Sequence, residues 1–245
     1  MAHRIALVVA LTFCAYLVGY VALQTQPAAS APPTWVKLND VKHAEHQPRV
    51  KAKPSTLIGR VRGSLAVRSR PNGPVLARLS VRTEFGSPQT VAVTRAARSG
   101  FDVITAALPN GHVGWVSRSS LRLRRTHVMV DVDLSRQLLR VRNGNRVVRW
   151  IRVGIGAPGT PTPTGRFAVT DKLNGAAYSP VYGCCILALS GHQTNLPRGW
   201  TGGDRLAIHG GPLGAVSTGC LHASTAALRY LMRSVPLGAQ IVIHP

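Results

Sequence analysis

Apolar residues recur at two spacings along this chain, and the change of spacing marks its parts. Between residues 57 and 124 short runs alternate apolar and polar positions and stop at turn formers. Leu65-Ala66-Val67-Arg68 runs into Pro71-Asn72-Gly73, the runs at 75–79, 91–93 and 101–104 follow, and Asn110-Gly111 precedes Gly114-Trp115-Val116. Period-two alternation bounded by Gly, Pro and Asn predicts strands. After Thr126 the runs lengthen, at 127–133, 137–141, 147–154, 166–170 and 184–189, with Asn143-Gly144 as a hairpin turn. Leu206-Ala207-Ile208 reads as the end of a buried strand, and 240–243 as a last strand. One stretch switches to helical spacing: Leu228, Leu231, Met232 and Val235 follow a cap at Ser224 or Thr225 and stop before Pro236 and Gly238. The pattern predicts a mainly β protein with one packed helix near its end.

Ahead of the strands the pattern differs. Met1-Ala2-His3-Arg4 is a short cationic start, and no charged residue falls between Ile5 and Leu23. That is the layout of a secretory signal, with Ala29-Ser30-Ala31 as a small-residue cleavage site. The same run is just long enough to span a bilayer. Residues 1–25 therefore read as a signal peptide or a retained membrane anchor, and the remainder is expected outside the cytoplasm, in the cell envelope, secreted or anchored. Phe13 is too bulky to precede a lipidated cysteine at Cys14. Residues 26–56, rich in Ala, Pro, Lys and His without a period, read as a linker. Folded domains are expected at 57–125 and 126–245.

Reactive side chains concentrate between positions 206 and 222, LAIHGGPLGAVSTGCLH. A thiol becomes a nucleophile near neutral pH only with a base or a positive environment beside it. Cys220 is the candidate nucleophile and His209, on the end of a strand, the candidate base. Gly210 and Gly219 flank the pair, and the N–H groups of Gly219 and Cys220 are the candidate oxyanion donors. Ser217, Thr218 and His222 border the nucleophile and are candidate substrate contacts, Ser217 either through the loop or directly. His192, in Ser190-Gly191-His192-Gln193, is a further candidate for the cleft wall. Tyr178 and Trp200 read as wall or core residues. His209, Cys220 and His222 have metal-ligand chemistry, yet no second Cys pair or spaced acid accompanies them, so neither metal nor cofactor is expected. Adjacent Cys184 and Cys185 can join only through a strained ring, and both read as small apolar residues of a strand at 181–189.

These residues resemble the signature of the YkuD-type L,D-transpeptidases. His209-Gly210 and Ser217-Thr218-Gly219-Cys220 match its His-Gly and Ser-x-Gly-Cys elements; Gly154-Ile155-Gly156 and Thr162-Pro163-Thr164-Gly165-Arg166-Phe167 are similar to its "G…TPTG.F" run; and 130–141 resembles its first hairpin. The resemblance covers 126–245. The chain departs from the family pattern in a shorter His-to-Cys spacing, in His222 where many members carry Arg, and in Thr218 where many carry a second His. The resemblance implies a YkuD-like β-sandwich and an enzyme that forms 3→3 peptidoglycan cross-links through a cysteine thioester. It implies stem peptides as substrates, carbapenems as inhibitors, and the Gly210 carbonyl as the group that orients His209. An L,D-carboxypeptidase acting on stem tetrapeptides, or a non-catalytic wall-binding protein, are the alternatives. Residues 57–125 resemble a bacterial SH3-like β-barrel through "L.VRS.P.G" and "G..GWV", which implies either a grip on wall peptides or a spacer.

Charge adds a partner class. The formal net charge is +22, with 17 basic and 4 acidic residues at 32–125 and 12 and 4 at 126–245. Such a field draws polyanions. No helix-turn-helix, zinc finger or aromatic RNA-binding motif accompanies it, so anionic wall polymers or a membrane surface are expected rather than nucleic acid. On this reading a chain starting at Thr126 keeps its acylation chemistry and loses wall retention.

Overall fold

The computed structural model describes residues 53–245. The apolar run at 5–23, the cleavage site at 29–31, Cys14 and all but the end of the linker lie outside the described residues. Among the described residues no helix is long and apolar enough to cross a membrane.

The first seven strands are β1 (Thr56–Val61), β2 (Leu65–Arg68), β3 (Val75–Leu79), β4 (Thr90–Ala96), β5 (Gly100–Ile104), β6 (Gly114–Ser117) and β7 (Leu121–Thr126). They pair antiparallel in the order β3-β2-β6-β5-β4-β1-β7. The alternation in the sequence is what lets one face bury Val61, Leu65, Val67, Val91, Val93, Phe101, Val103 and Val116 as a core. Asn72, with φ +56°, makes the turn read from Pro71-Asn72-Gly73.

Only His127 separates this sheet from the second. There β8 (Val128–Asp133), β9 (Leu138–Asn143) and β10 (Arg146–Arg152) form a meander, and Gly144, with φ +64°, turns the second hairpin. The chain continues through β11 (Ile155–Gly156), β12 (Gly165–Asn174), β13 (Cys185–His192), β14 (Arg205–His209), β15 (Ala215–Ser217), β16 (Leu221–His222), helix α1 (Thr225–Ser234) and β17 (Gln240–His244). Eight strands order as β10-β9-β8-β17-β12-β13-β14-β16, with β8–β17 and β14–β16 parallel, while β11 and β15 form a separate parallel pair. The fold is mainly β, with a curled sheet and one helix.

The Ser224 hydroxyl caps α1 by accepting the Ala227 N–H at 3.3 Å, and Ala227, Leu228 and Leu231 face the core. Strands β12 and β13 are buried on both faces, so their runs are nearly continuous rather than alternating. One of those faces meets the first sheet. Ala168 on β12 packs with Ala92 and Ile104, and the Gln240 amide donates to the Val93 carbonyl at 3.2 Å. Asn110 makes two bonds to the backbone of His192, donating to its carbonyl at 2.6 Å and accepting its N–H at 2.8 Å. The Thr83 hydroxyl reaches Asp171, and Glu84 reaches Arg205.

One expectation about the cysteines is overturned. Cys184 and Cys185 are joined to each other in a disulfide, and the chain holds no cis peptide bond among the described residues. The strand expected from residue 181 begins only at Cys185, after a short 3-10 turn at Pro180–Tyr182. Cys184 thus lies outside the pleat, and the two side chains are not forced to opposite faces.

Candidate active site

The site sits at the sheet edge formed by β14 and β16. Their parallel register places Ile208 beside Leu221 and His209 beside His222. Cys220 immediately precedes β16, so period-two geometry puts its side chain and that of His222 on one face, with Ala207 and His209 alongside on β14. Three of the predicted residues are brought to one face in this way.

His209 is buried, with 5% of its surface exposed. Its Nδ1 lies 2.7 Å from the Gly210 carbonyl oxygen. A carbonyl can only accept, so Nδ1 carries the proton and Nε2 keeps a lone pair. The Tyr182 ring meets the imidazole edge-on at 4.9 Å, and the Tyr182 carbonyl accepts the Gly210 N–H at 2.9 Å. His222 is held in the same way, with Nδ1 2.9 Å from the Pro212 carbonyl, and its ring centre lies 4.8 Å from that of His209. Burial, and the neighbouring His222, push the His209 pKa down to about 4 against the pull of the Gly210 bond.

Burial also pushes the Cys220 thiol up, opposed by the Ala207 N–H. The thiol points to the Arg205 carbonyl oxygen at 3.9 Å, and among the described residues no hydrogen bond joins it to His209. Both shifts favour the neutral forms. The pair therefore rests as thiol and imidazole, which suits proton transfer during attack rather than a preformed thiolate.

The turn that presents Cys220 is fastened from inside. The Ser217 hydroxyl donates to the Cys220 carbonyl at 2.6 Å and accepts the Gly219 N–H at 3.1 Å. Ser217 is thus spent on the loop, and the Gly219 N–H expected as an oxyanion donor is occupied, which leaves the Cys220 N–H for that part. Gly219 has φ +106°, and a side chain there would collide with the Gln193 amide. The "TPTG" run and its neighbours form the outer wall of this turn. The Ala157 N–H and the Thr160 hydroxyl donate to the Ser217 carbonyl at 2.8 and 2.9 Å, and the Ile155 N–H donates to that of Gly214 at 2.7 Å.

Gln193 was missed from the sequence. Its amide NH2 lies 3.0 Å from the Pro161 carbonyl, 3.2 Å from that of Thr218 and 3.3 Å from that of Thr160. It bridges the wall and the nucleophile turn, and Thr218 takes part through its backbone. His192 points elsewhere. Its ring lies between the Ala106 carbonyl, at 2.8 Å, and Asp204, at 3.0 Å, in the contact with the first sheet. Neighbouring strand positions face opposite ways, so the residue assigned to the cleft serves the domain contact and the next one serves the loop. Tyr178 and Trp200 are exposed rather than core, Tyr178 meeting Phe85 at 6.3 Å. Among the described residues no group of three or more His, Cys, Asp or Glu is placed to hold a metal ion.

Against known families, residues 127–243 match the model of YkuD, the L,D-transpeptidase catalytic domain. This segment is YkuD-like. Its match takes in both histidines, the cysteine and the "TPTG" wall. Among curated proteins nothing matches. Solved structures similar to the chain include Mycobacterium tuberculosis L,D-transpeptidase 1, 19% identical over 54% of this chain and 77% of that one, with a TM-score of 0.37. An L,D-transpeptidase from Mycobacterium smegmatis is 17% identical over 62% and 80%, with a TM-score of 0.40. A third structure, of an L,D-transpeptidase in complex with imipenem, is 19% identical over 63% and 90%, with a TM-score of 0.39.

Proposed function

We propose that this protein is a peptidoglycan L,D-transpeptidase acting through Cys220. The observation that carries the reading is a buried neutral His209, its Nε2 lone pair available, on the same sheet-edge face as a cysteine presented by a fastened glycine turn inside a YkuD-like segment. The Cys220 sulfur attacks the carbonyl between the diamino acid at stem position three and the terminal D-Ala, and His209 Nε2 takes the thiol proton. The oxygen, now anionic, is received by the Cys220 N–H. The carbon–nitrogen bond breaks, His209 returns the proton to the departing D-Ala amine, and a thioester remains. An amine from a second stem attacks that thioester, His209 accepts its proton and passes it to sulfur, and a 3→3 amide is released. Water in place of the amine would give an L,D-carboxypeptidase.

A strained β-lactam amide is an acyl donor for the same thiol, and one similar L,D-transpeptidase is in complex with imipenem. The charge-free run behind Arg4 supports work outside the cytoplasm, secreted or anchored. Intact mass spectrometry tests the reading. Purified protein given imipenem gains one adduct, and given tetrapeptide stems yields a cross-linked dimer with loss of D-Ala; Cys220→Ala does neither. Cys220 is the free thiol of the described residues. An adduct that persists in Cys220→Ala would overturn the assignment.

A further inference from the structure

A groove of about 790 Å³ runs between the first sheet and the YkuD-like segment, remote from Cys220 in its lining, and its charge is of one sign. Arg60, Arg122, Arg124, Lys172 and Arg233 line it without a carboxylate. Lys172 and Arg233 have a local explanation. The Lys172 ammonium donates to the Met232 carbonyl at 2.6 Å, and Arg233 sits in the last turn of α1, where cations are favoured. The other three make no such side-chain hydrogen bond among the described residues, and Arg122 and Arg124 lie on the edge strand of their sheet. Arg60 on β1 lies directly opposite Arg122 on β7, and Arg124 follows on the same face opposite Ile58. Like charges opposed across strands are destabilising. Among the described residues none of the three forms a salt bridge.

We propose that this groove binds a linear phosphodiester polymer, whose charges settle on the Arg60–Arg122–Arg124 row. Arginine forks match phosphate oxygens in pairs, which favours phosphate over a single-point anion. The lining is drawn from both the first sheet and the YkuD-like segment, so the arginine row borders a groove. No Phe, Tyr or Trp lines it, so the stacking platform that single-stranded nucleic acid uses is missing. The chain's own segment at 24–52 is an ill-matched occupant, since it carries four Lys or Arg against two acids. Binding here is independent of the reaction at Cys220.

The test uses the full chain and a fluorescent poly(glycerol phosphate) in anisotropy titrations across a salt series. Replacing all three arginines, Arg60→Gln, Arg122→Gln and Arg124→Gln, is expected to weaken binding at least tenfold. The slope of log affinity against log salt should fall by roughly one per lost phosphate contact. An equal charge loss elsewhere, Arg146→Gln, Arg149→Gln and Arg152→Gln on β10, should cost less than about threefold. Thermal melting of the groove variant should be unchanged or higher, because the like-charged pair is relieved, and imipenem labelling should be unchanged. A single Arg122→Gln, with slowed hydrogen exchange of β1 and β7 on adding polymer to the unaltered chain, gives a second readout if the triple variant folds poorly. Equal losses in the two triple variants would overturn the proposal. So would groove-dependent preference for anionic vesicles, for a carboxylate polymer or for a single-stranded oligonucleotide at equal charge.

Discussion

At the scale of single residues, the site is governed by burial. Burial, with His222 alongside, pushes the His209 pKa down to about 4 from its ordinary 6.5. The unfolded chain binds a proton below pH 6.5 that the folded chain refuses until about pH 4. Stability is therefore undiminished above pH 6.5 and falls as pH drops through that window, by about 3 kcal/mol. Urea unfolding at pH 7.5 and 4.5 measures the loss, and His209→Gln should flatten it. The same variant removes the proton acceptor, and the rate of imipenem acylation should fall by about 10²–10⁴. With His209 assigned as the base, His222→Gln should weaken apparent affinity more than it slows acylation, although both rings are anchored through Nδ1. Stopped-flow acylation separates the two, and a slower His222 variant would move the base to that residue. Cys220 is held as the thiol, so its alkylation by iodoacetamide should be sluggish near neutral pH and rise only at alkaline pH.

At the scale of elements, the nucleophile turn depends on segments far away in sequence. Gln193 extends from the end of β13 to carbonyls of two loops at once. Gln193→Ala leaves those carbonyls without their donor and frees the turn. A displacement of about 1 Å in such a loop can cost about 10²-fold in rate, and acylation should slow by that order. Gln193→Glu keeps the size and loses the donor, so it should behave like the alanine variant, whereas simple loss of bulk would spare it. Ser224→Ala serves as the contrast. It removes the cap of α1, should cost about 1 kcal/mol in urea unfolding, and should leave the acylation rate unchanged, because the Ser224 hydroxyl is bonded to the Ala227 N–H and not to the site.

At the scale of the whole described chain, the two sheets share a buried contact and not only a connection. A chain beginning at Thr126, expected to retain its chemistry from the division of charge and motifs, would expose Ala168 and leave Gln240 and the His192 backbone without partners. The apolar burial and the hydrogen bonds made there no longer stabilise the shortened chain. Such a truncation should therefore melt several degrees lower than the full chain and lose activity in step with folding. Differential scanning fluorimetry on both chains, with acylation assayed well below each melting point, distinguishes a folding defect from a chemical one.

Much of this architecture was readable along the chain. The alternation from Leu57 onward, the Asn143-Gly144 turn, the Ser224 cap and the strand ending at His209 all follow from interactions between residues two to four positions apart, which sequence order alone specifies. The gathering of Cys220, His209 and the "TPTG" run was legible through their resemblance to one family. What the tertiary structure decided involves partners chosen by packing across long separations. The parallel pairing of β14 with β16 put His222 beside His209, and the pleat sent His192 to the first sheet and Gln193 to the loop. Burial of β12 and β13 on both faces erased the alternation there, and the turn before β13 freed Cys184 to meet Cys185. The opposition of Arg60 to Arg122 arises only when β1 and β7, some sixty positions apart, find their register. Local periodicity names an element and its buried face; which surface covers that face is settled by the fold as a whole.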